Sequence, residues 1–325
     1  MKACVRLKYG GPEVIQVTEV DKPIPKSNEV LVKVHAATVN RTDCAVLEGS
    51  PWIMRLFIGL FTPHNKILGT DFAGIVEAVG DEVTEFKLGD KVFGFQDNGL
   101  RSHAEYLAIG ENKSLAKMPE KIGYEDAAAC LEGFHYAYNF INKTGLSEQH
   151  DVLVNGASGA IGSATVQLVK YFGAKVTAVC STKSIDQIKA LGADRIIDYQ
   201  EEDFTEDSQS YDFVFDTVGK SSFGQCKKIL KQAGIYISSE LGRMAQNVFF
   251  AVFKPLTGSK KVIFPLPINV KQSIEFVKKM THEGKFKPLI DRTYPMEKIA
   301  EAFRYVRSGQ KIGNVILKIN AKENA

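Results

Sequence analysis

The chain has one tryptophan, five cysteines and six histidines in 325 residues. Cys4, Cys44, Cys130, Cys180 and Cys226 are odd in number, far apart and never in a CxxC pair, which argues against a disulfide scaffold and a cysteine-rich zinc lobe. Free thiols in a reducing cytosol are the expectation, so the chain is read as cytoplasmic. No block of like charge is present, and a formal net charge of +3 is spread along the chain, so nothing in it calls for nucleic acid or an acidic membrane. The start, "MKACVRLKYG", has early charges and no long apolar run, so no signal peptide and an untargeted chain are expected. The most apolar stretches, "SPWIMRLFIGLF" and "NVFFAVFKPL", are interrupted by Arg55, Lys254 and prolines and fall short of the roughly 20 residues that a membrane span requires.

What remains is an ordinary globular composition, with 44% hydrophobic and 24% charged residues, long enough for two domains. The first third is expected to be mostly β: "KACVRLKY", "VIQVTEV", "VLVKVHAATV", "FAGIVEAVG", "KVFGF" and "HAEYLAIG" are β-rich runs between turn residues. From about residue 121 the pattern turns helical. Strands and helices then alternate through "DVLVN", "KVTAVC", "SIDQIKALG", "DRIIDY", "YDFVFDTVG", a helix near 221–232 and "IYISSE", which predicts a doubly wound parallel α/β sheet. Beyond residue 244 follow an aromatic loop, a strand-like "VIFPLP", a helix in "KQSIEFVKKMTHEG" and a last strand in "NVILKI".

In "VLVNGASGAIGSATVQLVK", Gly156, Gly159 and Gly162 follow an apolar strand and open a helix, the arrangement that sets amides and a helix N-terminus against a pyrophosphate. Gly159 would let backbone approach phosphate, and Gly162 would let helix meet sheet; Ala157 and Ser158 lie between the first two glycines. The next strand ends in "VCSTKS". No carboxylate stands there for ribose hydroxyls, whereas Ser181, Thr182 and Lys183 offer hydroxyls and a cation, so NADPH is preferred over NADH.

These motifs resemble the medium-chain dehydrogenase/reductase superfamily, in its zinc-free quinone oxidoreductase-like branch of NADPH:quinone and alkenal reductases. The match rests on "MKACVRLKYGGPE", "NEVLVKVHAATVNRTD", "ILGTDFAGIVEAVG", "GDKVFGF", "HAEYLAI", the glycine loop, "LGADRIIDY", "FDTVG" and "GQKIGNVILKI". The resemblance implies a GroES-like β-barrel domain into which a Rossmann domain is inserted: 1–120 as the first part, 121–285 as the NADP-binding domain and 286–325 as the return, with the cofactor in the cleft between them. It also implies Gly156, Ser158, Gly159, Ala160 and Ile161 at the pyrophosphate, Ser181, Lys183 and Tyr199 around the 2′-phosphate, and Leu241 toward the nicotinamide. Asn314 falls where relatives often carry a basic residue near the cofactor.

Zinc alcohol dehydrogenases of this superfamily hold a catalytic metal with Cys, His and a third ligand. Where they read Cys-Arg-Ser/Thr-Asp this chain has Asn40, Arg41, Thr42 and Asp43, and for Gly-His-Glu it has Gly69, Thr70 and Asp71. Glu132 lies near the third ligand's region, but one carboxylate without soft or imidazole partners is a poor zinc site, so no metal is assigned. Without a Lewis acid, alcohol oxidation loses its main electrophile, and conjugated acceptors that take hydride readily become the expected substrates: quinones or α,β-unsaturated carbonyls. Asn40, Thr42 and Tyr136 are the candidate donors to the developing oxyanion. Asn40 and Thr42 as mere turn-stabilisers stay open beside that reading. His35, His64, His103, His135, His150 and His282 are scattered, and neither they nor any Cys or carboxylate stand out as a general acid, which leaves the proton to solvent. Trp52, Met54, Leu56, Phe57 and Phe61, with Phe249, Phe250 and Phe253, come from segments that flank the substrate mouth in the family, and a dimer contact or plain core is the alternative. A non-catalytic NADPH-binding structural or regulatory protein, a zinc alcohol dehydrogenase and a homodimer also remain open.

Overall fold

The computed structural model describes residues 1–97, 99–238, 247, 250–251 and 259–320, and Leu241, Phe249 and Phe253 lie outside them. The chain forms two compact units: Met1–Glu132 with Val270–Ala325, and Gly133–Asn269. The unit boundaries, 132/133 and 269/270, fall inside the expected 120/121 and 285/286. Packing explains this: the helix Tyr124–Ala129 lies against strands Glu29–Val39 and Asp71–Val79, and the helix Val270–His282 lies against Leu115–Lys117.

The first unit is built on a seven-stranded sheet. Its path runs Ile290–Pro295, Asn314–Lys318, Glu29–Val39, Asp71–Val79, Lys91–Phe95, Leu115–Lys117, with Tyr106–Gly110 also pairing with Glu29–Val39. Glu29–Val39 is the hub because its eleven residues are long enough to serve different partners along their length. Val30, Val32 and Val34 pack with Phe72, Val76, Val92 and Leu107 in its core, so this strand's valines, β-branched and suited to a pleated surface, set the interior. The six expected β-rich runs all contain strands, and Leu115–Lys117 is an added one.

The second unit carries six parallel strands in the order Arg195–Asp198, Lys175–Cys180, Asp151–Asn155, Tyr211–Asp216, Leu230–Ser238, Lys261–Ile263. This is the 3-2-1-4-5-6 order of the dinucleotide-binding fold. Val152, Leu153 and Val154 of the central strand are fully buried, as befits a strand covered on both faces. The helix expected near 221–232 is shorter: an α-helical turn over Phe223–Cys226 continues as a 3-10 helix over Lys227–Ile229, and the next strand begins at Leu230. Two features account for it. Ser222 caps the helix from Gln225 N, and the strand reaches inward through a register shift around the left-handed Ala233 (φ +65°). "VIFPLP" pairs only over Lys261–Ile263, because Pro265 and Pro267 lack the N–H that a ladder requires. No helix among the described residues is long and apolar enough to cross a membrane.

Candidate active site

In the second unit the three loop glycines answer three different demands. Gly156 takes φ +80°, a left-handed turn out of the strand. Gly162 is packed so closely on the loop that a Cβ there would lie 2.1 Å from the Gly156 carbonyl oxygen. Gly159 has neither reason: its φ is −76°, and a Cβ would meet only the Gly156 oxygen, at 3.5 Å. The space in front of Gly159 is therefore open in the protein itself, as a site approached by a ligand would need. Behind it, the helix Ala160–Tyr171 makes its first internal bond from Ser163 N to Gly159 O at 2.9 Å, which leaves the amides of Ala160, Ile161 and Gly162 ahead of that bond and facing out of the N-terminus. Ser158 and Ile161 are half-buried beside them. The residues present thus fit a pyrophosphate.

The loop is braced by Asp216, which sequence reasoning quoted only as part of "FDTVG". Its buried carboxylate accepts from Val218, Gly219 and Ser221 amides, from the Ser221 and Tyr236 hydroxyls and from Asn155 Nδ2. Thr217 then donates to the Asn155 carbonyl at 2.8 Å, which locks the fourth strand's exit to the first strand's exit. At the end of the second strand, Ser181 is buried while Lys183 and Tyr199 are exposed, and the Tyr199 amide donates to the Cys180 carbonyl at 3.1 Å, so the two loops carrying them lie side by side. The sheet also brings a carboxylate that the second strand itself lacks. Asp198 pairs with Cys180 across the ladder and accepts from the Thr182 hydroxyl, which holds its carboxyl below the usual range. Tyr136 is half-buried on the helix Glu132–Ile141, its ring edge-on to His135 at 5.8 Å. Phe250, for which a substrate mouth and plain core were both open, packs against Phe223 at 5.7 Å beside the unit's core.

In the first unit, the positions that correspond to the superfamily's zinc ligands form a different kind of cluster. Asn40 precedes the helix Arg41–Glu48 and is buried; its Nδ2 donates to the Thr38 hydroxyl at 2.6 Å, and its Oδ1 finds no partner among the described residues. Asp43 reaches back to accept from Asn40 N at 2.9 Å. Asp71 accepts from the Thr38 amide at 2.7 Å and from its hydroxyl, and Thr38 in turn offers its carbonyl to His103 at 2.8 Å. Glu132 takes its hydrogen bonds from two hydroxyls, Thr42 at 2.7 Å and Thr70 at 3.4 Å. Burial pushes all three carboxyls up, and they raise one another: Asp43 lifts both Asp71 and Glu132. Burial lowers His103 to about 4, so its ring is neutral. Lys311, half-buried, is lowered to about 8 by desolvation although Glu132 pulls the other way. Asn314 is buried one strand away, its Nδ2 on the Leu289 carbonyl at 3.0 Å.

This donor set does not suit zinc. Asn40 and Thr70 replace a thiolate and an imidazole, and among the described residues no three His, Cys, Asp or Glu side chains are grouped to hold a metal ion. Sequence reasoning named Asn40, Thr42 and Glu132 separately. The contact that joins Thr42 to Glu132 crosses ninety residues and leaves no mark on local spacing.

Near the cluster's helix, Trp52, Ile53, Leu56, Phe57 and Phe61 are exposed, Phe61 by 86%. Met54 and Ile58 turn inward to the core, so the segment shows the alternation of a short helix on a surface.

Two family profiles match the chain: "Alcohol dehydrogenase GroES-like domain" over residues 26–147 and "Zinc-binding dehydrogenase" over residues 191–317. The second match contains neither Asn40 nor Thr70. The chain is 33% identical to the quinone-oxidoreductase homolog, chloroplastic, of Spinacia oleracea over 322 residues, 95% of each chain. It is 30% identical to the NADPH-dependent alkenal/one oxidoreductase, chloroplastic, of Arabidopsis thaliana, covering 98% of this chain and 79% of that one. The quinone oxidoreductase of Coxiella burnetii superposes with a TM-score of 0.87 at 26% identity, over 98% of this chain and 99% of that one. The chain therefore belongs to the medium-chain dehydrogenase/reductase superfamily, alongside its quinone oxidoreductase-like members. It is an NAD(P)H oxidoreductase by family, with a GroES-like domain and a Rossmann sheet.

Proposed function

We propose that this protein is an NADPH-dependent, zinc-independent reductase that moves hydride to a conjugated acceptor, a quinone or an α,β-unsaturated carbonyl. The observation that carries the reading is the replacement of the metal-ligand positions by Asn40 and Thr70, both buried and both engaged with hydroxyl or carboxyl partners. An unactivated ketone or alcohol would need an electrophile this donor set does not supply, whereas a conjugated acceptor spreads its new charge onto an oxygen that hydrogen bonds can stabilise. NADPH, when bound, supplies the hydride. The amides at Ala160 and Ile161 would hold its pyrophosphate, and Ser181, Lys183 and Tyr199 would ring its 2′-phosphate. The relative named as NADPH-dependent supports that choice. Asp198 accepts from the Thr182 hydroxyl of the loop that carries Ser181 and Lys183, so one of its oxygens is already engaged there.

Thr42 and Asn40 would donate toward the acceptor oxygen. Asn40 Nδ2 has one proton committed to Thr38, which leaves its second for this role. The exposed rings from Trp52 to Phe61 suit an apolar acceptor. Five buried cysteines without a disulfide suit a reducing compartment, the cytosol among them.

The test is NADPH oxidation by the purified protein against quinones, enals, enones and simple ketones, with and without a chelator. Turnover of the conjugated acceptors alone, unchanged by chelator, is expected; turnover of simple ketones that chelator abolishes would overturn the reading. Lys183→Glu should weaken NADPH about 10- to 100-fold and NADH far less, because a charge-assisted phosphate contact becomes a repulsion. Equal weakening of both would remove Lys183 from the 2′-phosphate site. Tight NADPH binding without any turnover would favour a regulatory role.

A further inference from the structure

We infer that Glu132, acting through the Thr42 hydroxyl, holds and delivers the proton that completes the reduction. The inference rests on the function proposed above and adds the proton source that sequence reasoning left to solvent.

The three buried carboxyls of the first unit are not equivalent. Asp43 and Asp71 each accept from a backbone amide, Asn40 N and Thr38 N, in bonds that shape the strand's exit into the following helix. Asp71 also accepts from the Thr38 hydroxyl, but among the described residues the donors to Glu132 are hydroxyls alone, Thr42 and Thr70, and a hydroxyl can turn around. A buried carboxyl whose partners are hydroxyls and whose neighbours include Asp43, Asp71 and Asp97 is best kept neutral, with the Lys311 cation opposing them. Once Glu132 is protonated, the 2.7 Å contact runs from acid to hydroxyl, and the proton of Thr42 is released to point elsewhere. Thr42 is half-buried whereas Asp43, Asp71, Thr70 and Glu132 are buried, so Thr42 is the member through which the cluster reaches its surface.

The step balances. Hydride addition to carbon brings two electrons and leaves the acceptor oxygen anionic. The Thr42 O–H bond breaks as its proton passes to that oxygen, and the Glu132 O–H bond breaks as its proton restores the Thr42 hydroxyl. Glu132 is left as a carboxylate, stabilised by the Thr42 and Thr70 hydroxyls and by Lys311, until solvent returns the proton. Glu132 is thus a relay residue acting through Thr42; of these two, only Thr42 touches the acceptor.

The experiment measures kcat, KM and NADPH affinity across pH for the native enzyme, Glu132→Gln, Thr42→Val and Thr42→Ser, with one conjugated acceptor the native enzyme turns over. The native kcat is expected to fall on the alkaline side, with a midpoint well above the ordinary carboxylate range, as Glu132 loses its proton. Glu132→Gln and Thr42→Val should each lower kcat about 100-fold and abolish that alkaline limb, with NADPH affinity and KM near native, while Thr42→Ser keeps the limb. A native alkaline limb and kcat in Glu132→Gln would overturn the relay. So would loss of activity in Glu132→Gln through lost NADPH binding combined with a native pH profile in Thr42→Val. A native enzyme that turns over no acceptor would instead overturn the proposed function, and the relay with it.

Discussion

Two sets of carboxyls, one at the strand ends and loops of the second unit and one buried in the first, behave in opposite ways. In the second unit Asp194, Asp198, Asp207 and Asp212 lie at strand ends and loops, where lysine, arginine, hydroxyl and amide donors hold their carboxyls low. In the first unit Asp43, Asp71 and Glu132 sit inside, without such cations in hydrogen-bond contact, and burial drives their carboxyls up. In the second unit Asp194, Asp207 and Asp212 pair with Lys170, Arg195 and Lys231, each of which keeps contact with solvent. The antiparallel hub of the first unit folds its strand exits over one another and encloses them. The same side chain becomes a fixed anion in one place and a store of protons in the other.

The largest effect should come from the glycine loop, where the second unit is most constrained. Gly162→Ala would force a methyl against the Gly156 carbonyl, 2.1 Å away, and should cost about 3 kcal/mol or more, seen as a large drop in Tm. Gly159→Ala makes an ordinary 3.5 Å contact and should leave Tm within about 1 kcal/mol of native, while weakening NADPH. If both variants lose stability alike, the open space at Gly159 is not reserved for a ligand.

Next is pH. A carboxyl whose folded pKa lies above its unfolded value of about 3.9 binds its proton more tightly when folded. Its stabilisation is complete below that unfolded value and drains away as pH rises through the folded one. Asp71 should therefore make the native protein lose stability as pH rises above the ordinary carboxylate range, and Asp71→Asn should lose less over the same rise. Parallel Tm curves for the two would mean that Asp71 ionises normally. The carboxyls of the second unit act in the other direction: held low, they stabilise above their unfolded pKa and lose that contribution as pH falls. They are partly exposed, so the acid-side slope they add should be the smallest of these effects and should diminish with salt.

Much of the fold was legible because it follows from short-range pattern. The β-rich runs of the first third and the strand-glycine-helix passage at Asp151–Tyr171 are written in spacing of two and of about four residues. The helix near 221–232 was misread because its run of lysines and apolar residues suits either structure. Strand pairing next to Tyr211–Asp216 claimed it from Leu230 onward. For Phe250 the structure favours the plain-core alternative, because exposure is not a property of an aromatic residue but of what packs over it.

The sequence alone determined the superfamily, the strand-glycine-helix loop, the absence of thiolate and imidazole at the metal positions, and the candidates Asn40, Thr42 and Tyr136. Only the tertiary structure decided that Gly162 serves packing while Gly159 leaves space, that Asp216 gathers a whole loop, and that Glu132 meets Thr42 inside a cluster of buried acids. The reason is range. A turn or a helix start is set by neighbours within a few residues, whereas a carboxyl's charge state is set by whichever groups the fold brings around it, and these come from anywhere in the chain.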